Sequence, residues 1–283
     1  MPGKLIDGIE QASKITESVK NEVSLLQKQG IKPRLAVVLA GENAASKLYV
    51  EKKRQACEKA GVAFELVKFP ETVKEEVVLE AIIKLNKDAQ VNAILVQLPL
   101  PKGISQERVL NEVFPLKDVD GFTSANLGML AYGNEQLVAC TAKGIVKLIE
   151  STGTKIEGKN ACIVNHSVVV GKPLSLMLLN RNATVTVCHE FTKDLAFQTR
   201  QADILVTAVG KPGLVKAGMV KKGAIVIDAG IAKKDGKTLG DADFEAVKKD
   251  ASFITPVPGG VGPMTVACLL ENTVLAAKLQ RKG

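Results

Sequence analysis

The sequence predicts an α/β protein of two units, each built on a parallel sheet covered by helices. Short apolar runs of strand length alternate with longer segments whose apolar residues recur every three or four positions. This alternation is typical of parallel sheets, because parallel strands need crossover connections that are usually helices. The pattern stops in a loop-like stretch at 115–140 and then begins again. A chain of 283 residues is long enough for two domains.

The first unit shows its elements clearly. The apolar residues of the first helix repeat at steps of three and four and stop at Gly30, and Gly61 closes the second helix. The predicted elements are, in order, a helix at 9–29, a strand at 34–40, a helix at 44–60, a strand at 63–69, a helix at 72–87 and a strand at 92–98.

The second unit repeats this arrangement after a boundary near residue 140. Its predicted elements are a helix at 141–151, strands at 161–164, 183–188, 203–207, 224–228 and 252–254, and a final helix from 264 to 281. The pattern alone leaves open which unit the final helix joins.

Composition narrows the class of protein. The net charge is +8, but the lysines are scattered, and two Tyr with no Trp offer little for base stacking, which argues against a nucleic-acid binder. Five cysteines without CxxC spacing argue against a zinc site or a disulfide framework. The first residues lack an apolar signal region, and no run approaches the length of a membrane span. We expect a cytoplasmic protein.

The segment Asn165–Gly171 is a candidate dinucleotide turn. It follows an apolar strand and precedes a helix, where backbone N–H groups bind pyrophosphate. It has a single glycine, so an ordinary strand-to-helix turn remains the alternative. Glu190 ends the next strand 19 residues after Gly171, near the spacing of the acidic residue that binds ribose hydroxyls. A solvated strand end would explain Glu190 alone, but the two features together favour a dinucleotide.

The first unit offers candidate residues on a helix and after a strand. Tyr49 and Lys53 are four apart and share one helix face with Ser46, although Lys52 is also within reach of Tyr49. Gln97 lies near the end of an apolar strand and either bonds locally or faces a ligand.

Two loops add to these candidates. Asp118 and Asp120 are two apart and share one side if extended, unless they simply stabilise a turn. The segment 256–265 is rich in glycine and proline, which permits close approach of a ligand to the backbone or forms a rigid connector.

Taken in order along the chain, these motifs resemble the bifunctional methylenetetrahydrofolate dehydrogenase/cyclohydrolases. Any one motif is weak, but eight in sequence are specific. They are YVxxK from Tyr49, QLPLP from Gln97, KDVDGF from Lys117, CTxxG from Cys140, SxxVG from Ser167, TVxxCH from Thr184, DAGI from Asp228 and PGGVGPMT from Pro258.

The resemblance implies a folate-binding catalytic domain at 1–139 plus 264–283 and a Rossmann-like domain at 140–263, facing across a cleft. It implies a homodimer and no metal. It also implies oxidation of methylenetetrahydrofolate to methenyltetrahydrofolate with NAD(P), then hydrolysis to formyltetrahydrofolate, in one-carbon metabolism.

The resemblance also assigns roles to residues. Lys53 would be the key group in hydrolysis with Gln97 tuning it, while Tyr49 stacks on the aminobenzoyl ring and Asp120 binds the pterin. Pro258 and Gly259 would line the folate pocket. The implied cofactor-binding residues are Asn165, His166, Ser167, Gly171, Glu190 and Ile231.

Departures from the family bear on the cofactor. The usual Gly-Arg-Ser is Asn165-His166-Ser167 here, and the serine that follows Cys-His is Glu190. In NADP-using members the arginine and the serine bind the ribose phosphate. Like charges about 4 Å apart repel by about 1 kcal/mol in water and about 4 kcal/mol near a protein surface. Glu190 would therefore disfavour a phosphate, and we predict NAD, with NADP as the alternative.

Other functions fit less well. A relative with a single activity would not need Tyr49, Lys53, Gln97 and Asp120 together, and a non-catalytic regulator would be expected to lack Lys53. An amino-acid dehydrogenase leaves the 258–265 motif unexplained.

Overall fold

The computed structural model describes residues 2–281, which form two compact units. The N-terminal unit comprises residues 13–140 and 266–281, and the C-terminal unit comprises residues 2–12 and 141–265. Met1, Lys282 and Gly283, at the ends of the predicted domain ranges, lie outside the described residues.

Helices and strands alternate along most of the chain. Up to residue 151 they are β1 Lys4–Leu5, α1 Gly8–Lys28, β2 Arg34–Ala40, α2 Ala44–Ala60, β3 Ala63–Phe69, α3 Glu75–Lys87, β4 Ala93–Val96, α4 Gln106–Glu112, α5 Ser124–Ala131 and α6 Cys140–Ser151. They continue with β5 Asn160–Val164, α7 Gly171–Leu179, β6 Thr184–Cys188, α8 Leu195–Arg200, β7 Ile204–Thr207, a 3₁₀ turn Ala217–Met219, β8 Ile225–Asp228, β9 Ala232–Lys234, β10 Lys237–Leu239, α9 Phe244–Val247, β11 Phe253–Ile254 and α10 Val261–Leu279.

The N-terminal unit is built on a parallel sheet in the order β3-β2-β4. Successive residues of β2 point to opposite faces, and both faces are buried. Leu35 and Val37 pack in one apolar cluster with residues of α1, α2 and α10. Ala36 and Val38 pack in a second cluster with residues of α3 and α4. Helices on both faces explain why this strand is a continuous apolar run.

The C-terminal unit contains a six-stranded parallel sheet in the order β6-β5-β7-β8-β11-β1. From β5 the chain moves outward to β6 and then returns to the other side of β5 at β7. This reversal between β5 and β7 is the topological switch point, outside which doubly wound sheets bind ligands. The α/β class and the parallel sheets predicted from the sequence are confirmed.

Residues 2–12 belong to the C-terminal unit, although the sequence placed them with the catalytic domain. The reason is β1, which pairs with β11 in the register Lys4↔Phe253 and so extends the large sheet at its edge. Two residues are too few to be recognised as a strand from the sequence. Ile9 is the first apolar residue of the helix predicted at 9–29, where the pattern places it on the buried face. In the structure it is 62% exposed.

The loop assignment for 115–140 is wrong over α5. That helix is short and follows the N-cap Thr123, whose hydroxyl accepts a hydrogen bond from the Asn126 amide. The short helix α4 and the antiparallel β9–β10 pair also escaped the sequence analysis. No helix within residues 2–281 is both long enough and apolar enough to cross a bilayer.

Helix α10 fixes the loop that carries Asp120. The Asn272 amide, fully buried, donates to the carbonyls of Val119 at 2.8 Å and Val138 at 2.9 Å. Gly121 has φ +65°, and a Cβ there would lie 2.6 Å from the Val138 carbonyl carbon. The backbone on both sides of Asp120 is therefore held in one conformation.

Replacing Asn272 by Ala should lower the free energy of unfolding by about 2–4 kcal/mol, because two buried carbonyls lose their donor. Urea denaturation measures this change. The matched surface variant Gln55→Ala should change stability by less than about 0.5 kcal/mol. Equal values for the two variants would show that Asn272 does not hold the loop.

Candidate active site

Lys53 and Gln97 form the polar centre of the N-terminal unit. The amine Nζ of Lys53 on α2 donates to Oε1 of Gln97, just beyond β4, at 2.9 Å. Gln97 is 9% exposed, and its Nε2 donates to the Leu98 carbonyl at 2.7 Å. Both ends of the buried amide are thus engaged, and Oε1 is aimed at the amine. Of the two lysines that spacing left open, Lys53 is the one that makes this contact.

Lys52 and Tyr49 lie on the exposed side of the same helix. The Lys52 amine is 5.9 Å from the centroid of the Tyr49 ring, a cation–π distance. Tyr49 is 36% exposed, so its ring is available to an aromatic ligand. Ser46, in contrast, is buried and its hydroxyl donates to the Leu98 carbonyl at 3.3 Å. Its role is structural.

The KDVDGF segment divides into structural and candidate site residues. The buried Lys117 amine donates to three carbonyls of residues 85, 86 and 88. The buried Asp118 carboxylate accepts from the Thr123 amide at 2.8 Å and from Asn126 Nδ2 at 3.0 Å, at the start of α5. Asp118 therefore stabilises a turn, which was the structural alternative for this pair of aspartates. Asp120 remains as the candidate site residue of the segment.

Asp120 is electrostatically coupled to Lys53. Burial raises the pKa of the Asp120 carboxyl above its ordinary value, and the neighbouring Asp118 carboxylate adds to this effect. The positive charge of Lys53 acts in the opposite direction and favours the ionised carboxyl. The structure thus brings together Lys53, Gln97 and Asp120, an amine, an amide and a carboxyl suited to moving protons beside a bound ligand. Among residues 2–281, no cluster of three or more His, Cys, Asp or Glu side chains is arranged for a metal ion.

The candidate dinucleotide turn of the C-terminal unit is organised by Asn165. Its Oδ1 accepts from the Ser167 amide and hydroxyl, both at 2.8 Å, and from the Gly171 amide at 3.0 Å. A Cβ on Gly171 would lie 2.1 Å from the Asn165 carbonyl oxygen, so only glycine fits there. This contact explains why the turn needs its single glycine.

The turn also fits a dinucleotide phosphate. The amides of Val168 and Val169 find no acceptor among the described residues, and they lie in the turn just before Val170, the N-cap of α7. Successive free amides in a turn can bind an anion. The turn lies at the carboxyl end of β5, beside the switch point.

His166 and Glu190 follow neighbouring strands and lie side by side. Val164 of β5 is in register with Cys188 of β6, which places the two following segments together. His166 Nδ1 is 4.0 Å from Glu190 Oε2, and their side chains are 52% and 66% exposed. The His189 ring centroid is 5.0 Å from that of His166. Glu190 therefore lies beside His166 at the strand ends while its side chain stays largely exposed, and its contact with a ribose stays a prediction.

The remaining predicted residues lie elsewhere in the C-terminal unit. Ile231 is 48% exposed, and its carbonyl approaches Gly210, whose φ is +80°, in the loop after β7. Pro258 and Gly259 lie between β11 and α10. They belong to a different compact unit from Lys53, and their folate contact stays a prediction.

Two buried carboxylates that sequence reasoning missed shape the same edge of the sheet. Asp241 accepts from the Thr207 hydroxyl and the Val209 amide, both at 2.7 Å, and from the Lys211 amide at 2.6 Å. Asp228 at the end of β8 accepts from the amides of residues 230, 241 and 242. The DAGI motif marked Asp228 as a family feature, but no local pattern marked Asp241.

Family profiles match most of the chain. The catalytic domain of tetrahydrofolate dehydrogenase/cyclohydrolase matches residues 6–120, and the NAD(P)-binding domain of the same enzymes matches residues 139–281. The second match identifies the cofactor class as a nicotinamide dinucleotide.

Individual relatives agree with these profiles. The bifunctional protein FolD of Listeria innocua is 52% identical over 98% of both chains. The crystal structure of the bifunctional dehydrogenase/cyclohydrolase FolD of Campylobacter jejuni has a TM-score of 0.96 and 46% identity, covering 98% of this chain and 99% of that one. The Trypanosoma brucei enzyme, solved with NADP and an inhibitor, has a TM-score of 0.96 and 36% identity over 100% of both chains.

Asp228 should make stability depend on pH. Burial raises the pKa of its carboxyl from 3.8 to about 6, with the Asp241 carboxylate adding to the effect against three amide donors. The folded protein therefore holds this proton more tightly than the unfolded chain. The resulting stabilisation, of about 3 kcal/mol, is complete below pH about 4 and is lost as the pH rises through about 6.

Urea denaturation across this pH range tests the effect. The variant Asp228→Asn cannot titrate at this position, so its stability should fall less between pH about 4 and 7 than that of the parent. Carboxyl ¹³C NMR of the parent should give a midpoint near 6 for Asp228. Parallel stability curves, or a midpoint near 4, would contradict this account.

Proposed function

The chain belongs to the tetrahydrofolate dehydrogenase/cyclohydrolase family, and on that premise we propose how its own residues carry out the two reactions with NAD. The enzyme oxidises methylenetetrahydrofolate to methenyltetrahydrofolate and hydrolyses the product to formyltetrahydrofolate. The observation that carries the proposal is the hydrogen bond from Lys53 to the buried Gln97, next to Asp120.

The oxidation makes modest demands on side chains. The carbon that loses a hydride lies between two nitrogens, whose lone pairs stabilise the cation that forms. A strong base is therefore not needed for this step. A bound NAD(P) supplies the hydride acceptor. The chain has to hold both reactants in place, and orientation alone can lower a barrier by several kcal/mol.

The hydrolysis needs proton transfers to and from water, and we assign these to Lys53. Gln97 Oε1 fixes the position of the amine, which then exchanges protons with the attacking water and the leaving nitrogen. Asp120, which feels the charge of Lys53, is assigned to hydrogen-bond the pterin, as the family resemblance implies. The exposed ring of Tyr49 is assigned to stack on the aminobenzoyl group.

We assign NAD rather than NADP as the preferred cofactor. Glu190 accepts hydrogen bonds from ribose hydroxyls and repels a phosphate, while His166 stands where NADP-using relatives have a permanent cation. The repulsion amounts to about 1–4 kcal/mol, or about tenfold to a thousandfold in binding. Because Glu190 is largely exposed, solvent screening favours the lower end of this range.

The quaternary structure and location follow from the family resemblance alone. We propose a homodimer in the cytoplasm, with the N-terminal unit supplying the folate chemistry and the C-terminal unit binding the dinucleotide. Analytical ultracentrifugation that gave twice the chain mass of 30.1 kDa would support the dimer.

Replacing Lys53 by Gln should lower the cyclohydrolase rate by about 10²–10⁴-fold, because the proton-transferring amine is removed. The dehydrogenase rate should fall much less, since the hydride step needs no strong base. Both rates are measured by absorbance with purified protein. The neighbour Lys52→Gln is the matched control and should change either rate by less than about threefold. Equal losses in the two variants would disprove the assignment.

Cofactor choice is tested on the parent protein and on the double variant His166→Arg/Glu190→Ser. The parent should have a lower KM for NAD than for NADP. The double variant should favour NADP by about tenfold or more relative to the parent, because a cation replaces a carboxylate. The cyclohydrolase rate serves as the internal control and should not change. A parent protein that prefers NADP would refute the NAD assignment.

A further inference from the structure

We propose that Asn165 is a positioning residue for the dehydrogenase reaction, which shapes the dinucleotide turn without binding the dinucleotide itself. The inference rests on the proposed function, because it concerns the same cofactor site. In the family this position usually has no side chain.

The Asn165 side chain occupies the hydrogen-bond donors inside the turn. Oδ1 of Asn165 accepts from the Ser167 amide, the Ser167 hydroxyl and the Gly171 amide. Three donors that point into the turn are therefore occupied by the protein. A phosphate is left with the amides of Val168 and Val169, which have no acceptor among the described residues. The turn is thus rigid before a ligand arrives, which reduces the ordering cost of binding.

The other end of the Asn165 amide binds a different loop. Nδ2 of Asn165 donates to the Ala208 carbonyl at 2.7 Å. This bond crosses the switch point, from the carboxyl end of β5 to the loop that follows β7. On its far side the loop is held by Asp241, which accepts from the amides of Val209 and Lys211. Asn165 therefore joins the turn and the loop into one rigid wall at the place where doubly wound sheets bind ligands.

Asn165 also fits closely against the start of α7. A Cβ on Gly171 would lie 2.1 Å from the Asn165 carbonyl oxygen and 2.8 Å from its Oδ1. The helix therefore begins in direct contact with both the backbone and the side chain of Asn165. Any displacement of this side chain changes the direction in which the free amides point.

The test uses Asn165→Ala in the full chain, with Asn160→Ala as the matched control. Asn160 lies at the opposite end of β5, and its exposed side chain has no hydrogen-bond partner among the described residues. Four quantities are measured for each variant: the Kd for NAD by calorimetry, the KM and kcat of the dehydrogenase, the cyclohydrolase rate, and Tm. If Asn165→Ala does not fold, Asn165→Ser replaces it, because the serine hydroxyl keeps an oxygen that can accept a hydrogen bond in the turn.

We expect the Kd and KM for NAD to rise about ten- to hundredfold in the Asn165 variants that fold. The kcat at saturating NAD and the cyclohydrolase rate should stay within about twofold to threefold of the parent. Asn160→Ala should leave all four quantities unchanged. This division between KM and kcat, and between the two activities, would not arise from a general loss of stability.

Two results would overturn the proposal. One is an unchanged Kd for NAD in a folded Asn165 variant. The other is a parallel loss of both activities with a fall in Tm, which would make Asn165 merely structural. A different result would refute the proposed function itself: a parent protein with no dehydrogenase activity with either NAD or NADP.

Discussion

Both sheets that carry candidate site residues are parallel, and this constraint determines where the site residues that follow their strands lie. Parallel strands bring their carboxyl ends to the same edge of a sheet, so loops that are distant in sequence meet there. Gln97 follows β4 in one unit, while Asn165 and Glu190 follow β5 and β6 in the other. The chemistry and the cofactor selectivity thus depend on short segments that a fixed sheet holds in place.

Buried polar groups do the local positioning at these edges. Gln97 orients Lys53, Asn272 holds the backbone at Val119 beside Asp120, and Asp241 holds the loop after β7. Each of these side chains is buried and hydrogen-bonded, so it has one favourable arrangement and is costly to move. The exposed side chains are then free to meet ligands, because their neighbours already fix the backbone.

The sequence predicted helices and strands well where local signals were strong. It predicted them poorly where tertiary contacts determine whether an element forms. Helix α2 was predicted with its bounds at 44–60, and Gly61, which was expected to end it, is its C-cap with φ +76°. Spacing left the choice between Lys52 and Lys53 open, because only the contact with Gln97 distinguishes them. Helix α5 was missed, since it depends on caps and on Asp118 rather than on an apolar stripe.

Pairs from distant segments were also invisible in the sequence. Cys162 and Cys188 are 26 residues apart, yet their sulfurs lie 3.7 Å apart on neighbouring strands.

The central claim is that Lys53 and Gln97 act together on the folate. A crystal structure with NAD and a folate analogue tests it most directly. The account predicts Lys53 Nζ in hydrogen-bond contact with Gln97 and with the analogue, and Glu190 on ribose hydroxyls. An analogue bound away from Lys53 would contradict it.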